Sequence, residues 1–133
     1  MKRIFPPILL LFLLALILLS ACEQAAPATM PPDLIGKTNP IAAGDDTAIA
    51  AGKKNFNDIC SNCHGESGRG DGPSAASLVP PPANLVDLSK IQSDDYLFWR
   101  ISYGKEGTVM VAWKDNLSEQ EIWQVISYIK TLQ

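Results

Sequence analysis

Residues 60–64 read Cys60-Ser61-Asn62-Cys63-His64, two thiols three positions apart with an imidazole directly after the second. On a helical turn, side chains at i and i+3 share a face, so each sulfur can form a thioether to one vinyl group along a single porphyrin edge. His64 then offers a ring nitrogen to the iron from the proximal side, which is the arrangement of a c-type haem site. Two other chemistries use paired cysteines. A structural zinc shell needs four ligands, but His64 is the sole histidine and the third cysteine, Cys22, stands in a targeting context. A thioredoxin-like pair belongs beside a βαβ pattern, and no strand–helix–strand periodicity flanks this one.

The chain has 133 residues, 11 Lys+Arg and 14 Asp+Glu, for a net charge of −3. Without Lys2 and Arg3 of the leader the balance is 9 against 14, which argues against a nucleic-acid partner. One domain fits this length, and the part expected to fold, residues 45–133, is roughly ninety residues, small for a self-sufficient core. A covalently held haem would supply an apolar centre. With two cysteines assigned to thioethers and one to the membrane end, no disulfide framework is implied.

Residues 1–21 read as a targeting segment, with Lys2 and Arg3 as the charged start and an apolar run from Ile4 to Leu19 broken only by Pro6 and Pro7. The run ends Leu19-Ser20-Ala21-Cys22, which resembles the lipobox of bacterial lipoproteins, with Cys22 as the acylated first residue of the mature chain. The alternative is an uncleaved anchor: Ile4–Ala21 is 18 residues, and at about 1.5 Å per residue it could just cross a thin bilayer. Either reading holds the domain to a membrane on its extracytoplasmic face. Residues 22–44 then comprise the lipidated cysteine and an Ala/Pro-rich stretch, Glu23–Gly44, with no period of 2 or 3.6, expected to act as a flexible leash. Its 22 residues could reach at most about 75 Å.

Asp45 and Asp46 are placed to cap a helix over about Thr47–Cys60. Gly52 and Phe56 share the face of Cys60 on it, and a mid-helix glycine costs about 1 kcal/mol relative to alanine, which asks for a helix crossing closely over it. Four glycines within Gly65–Gly72 predict a turning loop; the Gly-Lys-Ser/Thr ending of a phosphate loop is missing. Pro80-Pro81-Pro82-Ala83-Asn84-Leu85 predicts a stiff extended passage able to line one haem face, with a carbonyl to accept the free N–H of His64. Ser93, Asp94 and Asp95 mark a helix running to Tyr103 with Gly104 as its stop. The last helix opens on Ser118 with Glu121 three residues later, a capping box, and Leu117 with Ile122 as the hydrophobic staple. Its apolar stripe is Ile122, Val125, Ile126, Ile129 and Leu132.

Over about Asp45–Gln133 the pattern resembles class I cytochrome c, most closely the bacterial mono-haem members. The resemblance is carried by Gly52 and Phe56, by Cys60-x-x-Cys63-His64-Gly65-Glu66, by the proline-rich passage before Leu85, by Met110 in its loop, and by Val125 and Tyr128. It implies an all-α fold of three to four helices with long loops around one covalently bound haem c. It also implies that the first and last helices cross near the glycine and aromatics, that His64 is the proximal ligand, and that Met110 binds the other face of the iron. Met1 lies in the leader and Met30 in the linker. One departure is Val111, where a proline often follows the methionine; it bears on the stiffness of the loop rather than on ligation.

An iron with both axial positions filled has no open site for substrate, so the expected role is one-electron transfer between membrane redox proteins, not catalysis. A tethered shuttle and a fixed haem subunit of a larger respiratory complex, such as a quinol-oxidising complex or a terminal oxidase, both fit. A peroxidase or gas sensor would need an empty sixth position and is disfavoured by the lack of a second histidine. Mass spectrometry of the mature protein should find Cys22 acylated at the N-terminus; recovery of peptides from Lys2–Ala21 in the membrane-bound form would establish the uncleaved anchor instead.

Overall fold

The computed structural model describes residues 29–133, so the leader and Cys22 lie outside the described residues. The first long helix begins on Asp45, whose carboxylate accepts from the Ala48 amide at 3.0 Å, and α1 runs Asp46–Asn55. It continues without a break through a wider π turn, Phe56–Cys60, and ends in a final α turn, Ser61–His64. The expected helix over Thr47–Cys60 is therefore one turn longer than the sequence pattern indicates, and the haem motif forms its C-terminal end. π turns are rare and concentrate at functional sites; this one leads directly into Cys60.

Three further α-helices follow: α2 (Leu85–Ile91), α3 (Asp94–Tyr103) and α4 (Glu119–Ile129). No strand occurs among the described residues, and the fold is the small all-α cytochrome c type that the resemblance implies. α3 stops at Gly104, as expected. α4 carries the full capping box: Ser118 Oγ accepts from the Glu121 amide and Glu121 accepts from the Ser118 amide at 2.8 Å. α2 is an element that sequence reading did not find. Asn84 caps it by accepting from the Val86 and Asp87 amides, and Leu85 and Val86 turn inward. A two-residue apolar contribution beside a proline run leaves too little periodicity to read.

α1 and α4 cross at Gly52. A Cβ there would overlap the backbone carbonyl of Gln124 and lie 3.0 Å from the Val125 amide nitrogen, so the two backbones touch where no side chain intervenes. One turn on, Phe56 meets Tyr128 edge-on with ring centroids 5.2 Å apart. Phe56, Val125 and Ile126 are completely buried, and each buried side chain of this size stabilises the fold by about 1.5–3 kcal/mol relative to exposure. α3 adds Leu97, Phe98, Trp99 and Ile101 to the same core, with Phe98 stacked on Trp123 at 4.4 Å.

The segment read as the end of a leash is part of this core. Pro32–Leu34 forms a 3₁₀ turn that buries Leu34 to 4% exposure. Gly36 donates its amide to Asp95 at 2.7 Å, and Asn39 donates its amide to Asp94 and its side-chain NH₂ to Ser127 Oγ and the Trp123 carbonyl. Lys37 pairs with Glu119 at 2.8 Å while lying over the Phe98 ring. The stretch expected to be a free leash is therefore docked on the core over at least its described part, through Met30, Leu34 and Ile41. Proline-rich composition describes a chain with no internal periodicity, but a single apolar side chain and an asparagine with a full set of partners suffice to dock it.

Replacing Gly52 by Ala separates the two influences on this helix. Helix propensity alone favours alanine by about 1 kcal/mol, whereas overlap with a backbone carbonyl that cannot rotate away should destabilise by roughly 1–3 kcal/mol. Urea unfolding of G52A should show a net loss; a net gain would mean the helices do not cross this closely.

Candidate haem site

An apolar cleft, open to solvent on one side, lies beside the end of α1. Cys60, Cys63 and His64 line one part of it, Pro80–Ala83 another, and Met110 with Val109, Val111 and Trp113 a third. The structure thus gathers four expected site residues, Cys60, Cys63, His64 and Met110, around one space. The sequence reading passed over Trp113 as a cleft residue. Its amide donates to the Ile101 carbonyl at 3.1 Å and the next amide, Lys114, to the Ser102 carbonyl, which pins the methionine loop to α3. The signal was a lone aromatic at the end of an apolar loop run.

The imidazole is held in one tautomer. Its Nδ1–H donates to the Ala83 carbonyl at 3.0 Å, the acceptor expected in the proline-rich passage, which leaves Nε2 with a free lone pair. Burial lowers the His64 pKa, and the Ala83 carbonyl acts weakly against it. The ring is therefore neutral around pH 7, the state a metal ligand requires.

Of the two thiols, Cys60 is the one held firmly protonated. Burial, with the neighbouring Cys63 second, pushes the Cys60 thiol up to about 12, so it is not a reactive thiolate. No disulfide joins Cys60 and Cys63. Among the described residues, no three His, Cys, Asp or Glu side chains gather as a metal-ion shell.

The glycine-rich loop after His64 closes the end of α1. Gly70, Gly72 and Ser74 donate their amides to the carbonyls of His64, Cys63 and Asn62 at 2.8, 3.2 and 2.9 Å, satisfying the acceptors that every helix leaves unpaired at its C-terminus. The Gly65–Gly72 stretch thus works as the cap that holds the haem motif.

A family model described as cytochrome c oxidase, cbb3-type, subunit III matches residues 47–129. The chain belongs to that family. Two solved structures resemble this cytochrome c domain. A chain of the reducing HAO-like protein complex of Kuenenia stuttgartiensis is 30% identical with a TM-score of 0.61; the match covers 71% of this chain and 47% of that one. Cytochrome cL of the marine methylotrophic bacterium Methylophaga aminisulfidivorans is 28% identical with a TM-score of 0.53, over 67% of this chain and 57% of that one. This cytochrome thus spans about half the length of the solved chains it matches. The family assignment implies covalently bound haem c and electron transfer.

The residues fit such a group. Besides the apolar walls and the candidate ligand atoms, two buried donors on α3 have no acceptor among the described residues, Trp99 Nε1 and Arg100 Nε. They directly precede Ile101, which lines the cleft, and the Arg100 guanidinium lies 3.5 Å from the Trp99 ring centre. Buried donors are almost always paired, so an acidic group that arrives with the cofactor would complete them.

Proposed function

We propose that this cytochrome carries one haem c and passes single electrons between membrane-associated redox partners on the extracytoplasmic side. The observation that carries the reading is the convergence of Cys60, Cys63, His64 and Met110 on one apolar cleft. Haem bound there supplies a reversible one-electron couple. Cys60 and Cys63 hold the porphyrin by thioethers. His64 offers Nε2, its ring kept in place by the Ala83 carbonyl. Met110 offers a soft thioether sulfur that favours the reduced metal. Trp99 Nε1 and Arg100 Nε, buried without an acceptor, would be available as donors to an acidic group of the cofactor. A haem held by both His64 and Met110 would be left with one-electron transfer rather than substrate chemistry, the role of a carrier.

Membrane attachment follows from Cys22 or the apolar leader. The docked segment supports a short reach: with the fold starting near Met30, only Glu23–Thr29 separates it from Cys22, a span of at most about 25 Å. Such a tether keeps the haem domain close to the membrane surface, and the description of the family favours a haem subunit held beside its partners over a free shuttle. A respiratory complex, quinol-oxidising or terminal oxidase, is the partner this reading selects.

Voltammetry of the purified holoprotein should give a single reversible one-electron couple, and a catalytic wave on adding peroxide would transfer the role to a peroxidase. In detergent extracts of native membranes the chain should stay with redox membrane proteins at high salt, where exposed charge contacts are screened. Release as a free monomer would restore the shuttle.

A further inference from the structure

Methionine is a ligand with three rotatable side-chain bonds, so where its sulfur lies depends on how firmly its backbone is held. Met110 sits in a loop, Lys105–Asn116, outside any helix. Both of its backbone groups are nevertheless bonded. Its amide donates to Thr108 Oγ1 at 3.1 Å, and its carbonyl accepts from the Lys105 amide at 3.0 Å. The Thr108 hydroxyl in turn donates to the Lys105 carbonyl at 2.8 Å, and the Thr108 amide donates to the same carbonyl at 3.2 Å. One hydroxyl therefore accepts from the methionine and donates to the start of the loop, closing a ring of hydrogen bonds over Lys105–Met110.

Gly104 supports that ring from below. It ends α3 with φ +74°, and a Cβ there would overlap the Met110 carbonyl and lie 2.9 Å from the Val111 carbonyl carbon. The methionine backbone rests directly on the helix stop. Thr108 is half-buried and lines the cleft alongside Met110.

We propose that Thr108 is the positioning residue for Met110, and that its hydroxyl provides the loop stiffness that a proline after the methionine would otherwise provide, since residue 111 is Val. The inference rests on the reading of Met110 as an axial ligand. Thr108 acts through the methionine backbone, which its hydroxyl holds.

The test is competition for the sixth position by an added ligand, imidazole, titrated optically into oxidised holoprotein of the parent, T108V and T108S. T108V loses both hydrogen bonds of the hydroxyl, and the loss of the one that holds the Met110 amide, at ordinary strength, should make it bind imidazole about fivefold more tightly, while T108S, which keeps the hydroxyl, stays near the parent. Thermal melts of the same samples separate a merely structural role: if T108V melts lower but binds imidazole as the parent does, the proposal is overturned. It is equally overturned if T108S matches T108V. A parent that binds imidazole as readily as an open haem would instead sink the ligation reading itself, which keeps the two failures distinguishable.

Discussion

The close contact of α1 with α4 at Gly52 decides where everything else in this protein can stand. With no side chain between them, the backbones of Gly52 and Gln124 touch, and Phe56 and Tyr128 interlock one turn later. The crossing fixes the direction of α1, whose C-terminal turn carries Cys60, Cys63 and His64. It also fixes α4, against which α3 packs through Phe98 on Trp123. Since α3 holds the methionine loop through the Ile101 and Ser102 carbonyls, both borders of the cleft are referred to the same helix pair. A shift at Gly52 would be felt as a change in the separation between the histidine and the methionine.

What local sequence rules dictate was legible, and what depends on distant partners was not. The haem motif is a covalent requirement expressed at fixed spacing, so Cys60, Cys63 and His64 could be read at once. The capping box of Ser118 and Glu121 and the stop at Gly104 satisfy backbone groups within four residues and were equally readable. Met110 came from family resemblance, since a single methionine in a loop has no periodicity to mark it. The docked stretch from Met30 to Gly44 escaped because its hold comes from Leu34 entering a core formed elsewhere and from Asn39 bonding to residues 84 and 88 positions away. Composition reports only how a segment behaves alone.

The site divides its work between rigid and adjustable parts. His64 is clamped at three points: the helix that bears it, the glycine-rich loop that caps that helix, and the Ala83 carbonyl that orients its ring. Met110 has no helix behind it and relies on a hydrogen-bonded loop resting on Gly104. A carrier that changes charge without changing ligands needs both sides to stay in place, because any movement between the two oxidation states slows the transfer. The weaker side is the methionine, and the account stands or falls on whether it is bound.

The most direct measurement is the near-infrared spectrum of the oxidised holoprotein together with carbon monoxide binding by the reduced form, for the parent and for Met110→Ala. The account predicts a weak charge-transfer band and no carbon monoxide adduct in the parent, with the band lost and the adduct formed in the variant. A parent that binds carbon monoxide readily or lacks the band would contradict it, because the sixth position would then be open.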